Sequence, residues 1–247
     1  MINNCKIISN ILIAKDTFEM EISFPNTKRI KPGQFINIKV PGFSLRRPIS
    51  ISSVEESSIK IIYKILGKGT LEMSKFEAGM MIDILGPLGN PFTIHEDEDE
   101  ILIIGGGVGV PPLYEVAKLY RDLNKKVTVA LGFNNSSSIF LEKAFEELGC
   151  IVFVSTMDGS NGYKGHVMQL VEEYNLHGFV YACGPEIMLK EVEGKFDNGY
   201  VSYESRMACG IGTCMGCVCK DKKDPQKYYR ICKEGPVFEI GVVEWLI

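Results

Sequence analysis

Between residues 5 and 95, apolar and polar positions alternate over short stretches interrupted by Pro, Gly and Ser: KIISNILIA, TFEMEISFP, QFINIKV, PISIS, IKIIYKIL and MIDILGPLG. An alternation of period two is that of a half-buried strand, so these six runs predict a small antiparallel β-barrel. After Glu100 the pattern changes. Continuous apolar runs, ILIIG, VTVALGF, IVFVSTMDG, FVYACG and YVSYE, are now separated by helical segments such as PPLYEVAKLYRDL and EIMLKEVEGKF. Strands that are apolar throughout and alternate with helices predict a parallel, doubly wound α/β sheet. The acidic stretch HEDEDE, His95 to Glu100, reads as a solvated hinge between the two. The expected organisation is a barrel over 1–97, an α/β domain over 98–202 and a small loop domain over 203–247.

Composition narrows the partners. With 247 residues and 45% of them hydrophobic, the chain can bury two modest cores and an appendage, which excludes a disordered chain. A net charge of -4 without any long Lys/Arg tract gives no basis for binding nucleic acid. The first residues, MINNCKIISN, lack a basic region followed by an apolar run, and no segment reaches the roughly 18 apolar residues of a membrane span. The expected location is the cytoplasm. In that reducing compartment eight cysteines point to metal or redox chemistry rather than disulfides.

Two segments carry nucleotide chemistry. IIGGGVGVPPLYEVA places Gly105, Gly106, Gly107 and Gly109 between the first strand of the sheet and a helix that Pro111 and Pro112 suit as a start. Such a turn lets backbone approach a pyrophosphate at the helix N-terminus, although it departs from G-x-G-x-x-G and no acidic residue follows the second strand. GFNNSSS also lacks an Arg or Lys for a 2′-phosphate, which favours NAD over NADP. YACGPEIM puts Cys183, Gly184 and Pro185 at a strand tip across the switch point from that turn; a lone cysteine is ordinarily a core residue, but this position favours a catalytic thiol that faces a nicotinamide. In the barrel, LRRPISI offers Arg46, Arg47 and Ser50. An arginine with a hydroxyl three residues on can grip a phosphate.

The densest chemistry lies in YESRMACGIGTCMGCVCK. Cys209, Cys214 and Cys217 follow the C-x4-C-x2-C order of plant-type [2Fe-2S] loops, and Cys232 supplies a distant fourth thiolate. Gly210, Gly212 and Gly216 let such a loop wrap an inorganic core. A four-thiolate zinc site is the rival, although Cys232 lacks the nearby partner of a zinc knuckle. A Cys214/Cys217 redox dithiol would open a helix, and the glycines form none. Cys219 reads as a thiol turned away from the cluster. Glu204, just before the loop, can stabilise or relay a proton at a flavin, or simply stand in solvent at a strand end. His95, His166 and His177 suggest no hydrolytic site.

R-x-x-S in a barrel, followed by a G-G-G-x-G turn and a terminal C-G-P, resembles the ferredoxin reductase family of flavoproteins, whose barrel holds FAD and whose sheet binds a nicotinamide nucleotide. Ile49 stands where that family usually has an aromatic residue beside the flavin. Over essentially the whole chain, LRRPISI, GPLGNPF, GGGVGVPPLYE, ACGPEIMLK, ESRMACGIGTCMGCVCK and GPVFE are similar to the electron transfer subunits of class 1B dihydroorotate dehydrogenases. That resemblance implies an oxidoreductase subunit of pyrimidine biosynthesis, which takes electrons from an FMN-containing catalytic subunit through [2Fe-2S] and FAD to NAD, in a heterotetramer of two of each chain. By position, Arg47, Pro48, Ile49, Ser50, Ile62, Tyr63, Lys64, Gly69 and Thr70 contact FAD; Cys209, Cys214, Cys217 and Cys232 ligate the cluster; and Gly105, Gly106, Gly107, Gly109, Cys183, Gly184 and Pro185 hold NAD near the flavin. The alternatives are a ferredoxin- or sulfide-linked NAD(P) reductase subunit of the same superfamily and a non-enzymatic zinc-binding adaptor.

Overall fold

The computed structural model describes residues 2–244, so the last three residues of the expected loop domain lie outside the described residues. Strands β1 (Ile2–Ala14), β2 (Thr17–Ser23), β3 (Phe35–Ile38), β4 (Arg47–Val54), β5 (Ser58–Lys64) and β6 (Met81–Leu88) close an antiparallel barrel in the order β1-β2-β5-β4-β3-β6. Alternation sends Met20, Ile22, Ile36, Ile38, Ile59 and Ile61 inward, where each is fully buried. The short helix α1 (Lys68–Met73), which alternation does not predict, lies beside the barrel. Asn10 ties this segment to the barrel: its Nδ2 donates to Met73 O at 3.1 Å and Phe76 O at 2.9 Å, and its Oδ1 accepts the Tyr63 hydroxyl at 3.0 Å.

The second layer contains β7 (Glu100–Gly106), α2 (Pro111–Asp122), β8 (Lys126–Phe133), α3 (Glu142–Glu147), β9 (Ile151–Thr156), β10 (Tyr163–Lys164), α4 (Val167–Glu173), β11 (Phe179–Cys183), α5 (Glu186–Lys195) and β12 (Gly199–Ser202). The remaining strands are β13 (Val218–Asp221), β14 (Tyr228–Arg230), β15 (Val237–Glu239) and β16 (Val243–Glu244). The large sheet runs β10-β9-β8-β7-β11-β12-β15, parallel except for β15, which pairs antiparallel to β12. It is therefore wider than the five strands expected. β10 and β15 are two and three residues long and leave no periodic trace in the sequence. Helices α2 and α3 bury Leu113, Val116, Tyr120 and Phe145 on one face, while α4 and α5 bury Leu170, Val171, Leu189 and Val192 on the other. The chain order reverses between β7 and β11, which puts the switch-point crevice beyond Gly105 and its register partner Cys183.

The expected hinge is only partly free. Asp97 and Asp99 are exposed, but His95 Nε2 lies 3.0 Å from the Tyr200 hydroxyl, and its backbone N–H donates to Tyr120 at 2.8 Å. The cysteine segment forms a three-stranded sheet, β14-β13-β16, and packs Ile231, Phe238 and Val243 into the same core as α4 and α5. Among the described residues no helix is long and apolar enough to cross a membrane.

Candidate functional site

The glycine turn is shaped by close approach. A Cβ on Gly109 would stand 2.4 Å from the Cys183 carbonyl oxygen, so the turn passes directly over the end of β11. Pro111 and Pro112 then fill the first two positions of α2, where no backbone N–H is required. Gly106, Gly107, Gly109, Gly184 and Pro185 line a hollow of about 370 Å³ that extends past Gly132 to Asn134 and Met157. Gly105 does not line it: a Cβ there would meet Val110 at 2.8 Å, so this glycine serves helix-to-strand packing. The lining contains one cation, Lys64, at the barrel side and no arginine.

A second hollow, of about 240 Å³, opens on the barrel wall and takes in Arg47, Pro48, Ile49, Ser50, Ile62 and Tyr63, together with Lys64 and Thr70. Strand β4 delivers the first four of these. The Arg47 guanidinium stacks 4.7 Å over the Phe43 ring. Gly69 lies behind it: a Cβ there would fall 2.1 Å from Arg47 Nε, so Gly69 makes room for the guanidinium and does not itself line the hollow. Tyr63 lines the wall while its hydroxyl is turned inward to Asn10, and burial raises that phenol to about 12.

The two hollows share Lys64, Leu66, Val108 and Glu204, so they form one continuous groove from barrel to sheet. Glu204 is exposed to the groove, yet desolvation by the surrounding protein raises its carboxyl above the ordinary range. Cys183 is fully buried and lines neither hollow. Its thiol is pushed up by burial first and by the nearby Glu204 carboxylate second, while the Ser202 side chain opposes the rise. It is a neutral thiol just beneath the crevice floor.

The cluster loop gathers backbone N–H groups around sulfur. Ile211, Thr213 and Cys214 donate to Cys209 Sγ at 3.5, 3.3 and 3.4 Å. Gly212 donates to Cys232 Sγ at 3.1 Å, and Cys232 donates to Cys217 Sγ at 3.4 Å. Positive φ at Gly210, Gly212 and Met215 allows the loop to turn these groups inward. Desolvation works to raise the Cys209 thiol, but its donors bring it down to about 6, whereas burial and the neighbouring Cys217 push Cys232 up to about 12. The four thiols fall into two pairs, Cys209 with Cys214 and Cys217 with Cys232, each linked by a backbone N–H of one member to the sulfur of the other. Among the described residues no three His, Cys, Asp or Glu side chains gather around one point as for a single metal ion. Two thiolate pairs with N–H groups aimed at sulfur fit a two-iron cluster. Cys219 is turned the other way, donating to Tyr229 O at 3.6 Å, and burial raises it to about 11.

Several lining residues escape the sequence. Phe35, Ser202, Met207 and Pro236 reach the barrel hollow from four separate stretches, and His166, just before α4, and Met188 of α5 reach the nucleotide crevice. Val108 had a signal, since it lies inside the glycine turn.

Comparison with known proteins agrees with this geometry. Residues 204–244 match the iron-sulfur cluster binding domain of dihydroorotate dehydrogenase B, and residues 103–194 match the oxidoreductase NAD-binding domain. The structure of an NADH-dependent reduced ferredoxin-NADP oxidoreductase, studied for flavin-based electron bifurcation, superposes with a TM-score of 0.87 at 30% identity, over 98% of this chain and 90% of that one. A ferredoxin NADP+ reductase from Neisseria gonorrhoeae with bound FAD and NADP shares the fold, with a TM-score of 0.64 at 18% identity, over 83% of this chain and 94% of that one. The dihydroorotate dehydrogenase B (NAD(+)) electron transfer subunit of Fusobacterium nucleatum subsp. nucleatum is 42% identical over 98% of both chains, and its Bacillus cereus (strain G9842) counterpart is 40% identical over 97% of both. With such identity over nearly full length, this chain belongs to the family of dihydroorotate dehydrogenase B (NAD(+)) electron transfer subunits.

Proposed function

We propose that this chain is the oxidoreductase subunit that passes electrons from dihydroorotate oxidation, carried out on a separate FMN-containing chain, to NAD in pyrimidine biosynthesis. The observation that carries the reading is the continuous groove from Arg47 to Asn134, followed in the chain by the thiol nest. A [2Fe-2S] cluster carries single electrons, and a flavin exchanges single electrons for a hydride pair at a nicotinamide. The residues divide the remaining work. Arg47 and Ser50 hold the flavin pyrophosphate, and Ile62, Tyr63 and Lys64 form the barrel side of its bed. Gly107, Gly109 and the start of α2 receive the NAD pyrophosphate, while Gly184 and Pro185 bound the nicotinamide end. Cys183 sits behind that end as a neutral packing thiol, and Glu204, its carboxyl raised by desolvation, is placed to exchange a proton at the junction of the two hollows. The complex is a cytoplasmic heterotetramer of two of each chain.

The test is co-expression with the catalytic partner. Co-purification of an FMN chain with dihydroorotate-dependent reduction of NAD supports the reading, and a colourless, zinc-containing protein would end it. The similarity to the ferredoxin-NADP oxidoreductase structure favours exchange between ferredoxin and NADP as a second reading. An arginine-free crevice ending at Asn134 predicts an NADH preference over NADPH of at least about tenfold in KM, roughly 1.4 kcal/mol. A preference for NADPH would instead select the second reading.

A further inference from the structure

β14 ends on Arg230, two residues before the fourth thiol, and Glu234 follows that thiol by two. The two side chains close a fork across Cys232. Arg230 Nε donates to Glu234 Oε2 at 3.0 Å, its Nη2 donates to Oε1, and its backbone N–H adds a 2.8 Å bond to Oε2. The remaining guanidinium nitrogen, Nη1, turns toward the cluster loop and donates to Gly212 O at 2.7 Å. Gly212 in turn presents its own N–H to Cys232 Sγ at 3.1 Å. On the other side, the Glu234 and Gly235 carbonyls accept Asn90 Nδ2 at 2.7 Å and Asn90 N–H at 2.6 Å. One hydrogen-bonded chain thus runs from the barrel, through an ion pair, to a ligating sulfur.

The potential of an iron–sulfur centre follows its net charge, the hydrogen bonds to its sulfurs and its exposure. The pair acts on the first two. Arg230 fixes a positive charge over the loop and, through Gly212 O, orients the Gly212–Thr213 peptide, whose N–H meets Cys209 Sγ at 3.3 Å. Glu234 places a negative charge in the same half-buried spot, where solvent screening is incomplete.

We propose that the Arg230–Glu234 pair sets the reduction potential of the cluster, with Arg230 as a positioning residue that favours the reduced form and Glu234 as the counter-charge that limits the effect. This rests on the iron–sulfur reading above. The experiment is a redox titration of the cluster in the intact complex, followed by electron paramagnetic resonance, for wild type, R230Q, R230K and E234Q. The midpoint should fall in R230Q, rise in E234Q and lie between wild type and R230Q in R230K, which keeps the charge but not the fork. A purely structural pair would move both neutralised variants the same way or not at all, and either result overturns the proposal. Should R230Q fail to take up a cluster, E234Q decides: it keeps the side-chain shape and the Asn90 contact, and an unchanged or lowered midpoint overturns the role. Absence of any cluster signal in wild type would refute the iron–sulfur reading itself.

Discussion

Cys217 and Cys219 are two residues apart on the chain, yet Cys217 Sγ accepts the Cys232 N–H while Cys219 Sγ donates to Tyr229 O. Cys219 lies within β13, where its register partner is Tyr229 of β14, whereas Cys217 precedes the strand and still belongs to the loop. Cys214→Ser should therefore abolish the visible cluster absorbance, and Cys219→Ser should keep it. A C219S protein that keeps its flavin bands but lacks the cluster absorbance would mean that the ligand set is misassigned. Glu204 gives a prediction with a sign. An acid whose folded pKa lies above its unfolded value binds more protons folded than unfolded, so folding loses stability as pH rises through that interval. Burial raises Glu204, and the interval begins near the unfolded value of about 4.3. Urea midpoints of cofactor-free protein should show wild type losing ground to Glu204→Gln as pH rises from 4 toward neutrality. A gap that does not change with pH would show that the groove leaves this carboxyl solvated.

At the scale of elements, the barrel and the sheet are joined by α2 and β4. β4 runs past its partner β3, and the exposed edge at Val54 is closed by side chains: its N–H donates to Glu115 Oε2 at 3.0 Å, and its carbonyl accepts Lys118 Nζ at 3.0 Å. The same two elements carry Arg47 at one end of the groove and follow the glycine turn at the other. Glu115→Ala leaves the Val54 N–H without its partner and should cost about 1–3 kcal/mol in urea unfolding. An unchanged midpoint would show that water satisfies that edge. The barrel strands and the parallel strands were legible because each repeats its pattern over four or more residues. So was the C-x4-C-x2-C order of Cys209, Cys214 and Cys217, because its spacing is local. The Glu115 clamp, the Asn90 contact with Glu234 and the short strands β10, β15 and β16 were not: the first two join residues 61 and 144 positions apart, and the strands are too short to show a period. The functional role of the GPLGNPF and GPVFE strings therefore appears only when Asn90 is seen against Gly235 and Pro236.

For the whole molecule, the cluster segment is more deeply built in than an appended loop. β15 supplies the edge of the large sheet, covering β12, which leads into Ser202, Tyr203 and Glu204. Cys217, Ile231, Phe238 and Val243 share a core with α4 and α5, and Pro236 lines the barrel hollow. Removing residues 203–247 would thus uncover a strand edge, an apolar face and one wall of the barrel hollow together. Truncation after Ser202 should give an aggregating, flavin-poor protein. Cys214→Ser, which removes one ligand and leaves every one of those contacts in place, should remain soluble and retain FAD. The comparison separates two ways the cluster could serve the flavin, as a cargo on a detachable module or as part of the frame that shapes the flavin site. A soluble, flavin-replete truncation would establish the detachable module. Loss of flavin in the truncation alone would assign the C-terminal segment a second task, completing the flavin bed as well as delivering electrons to it.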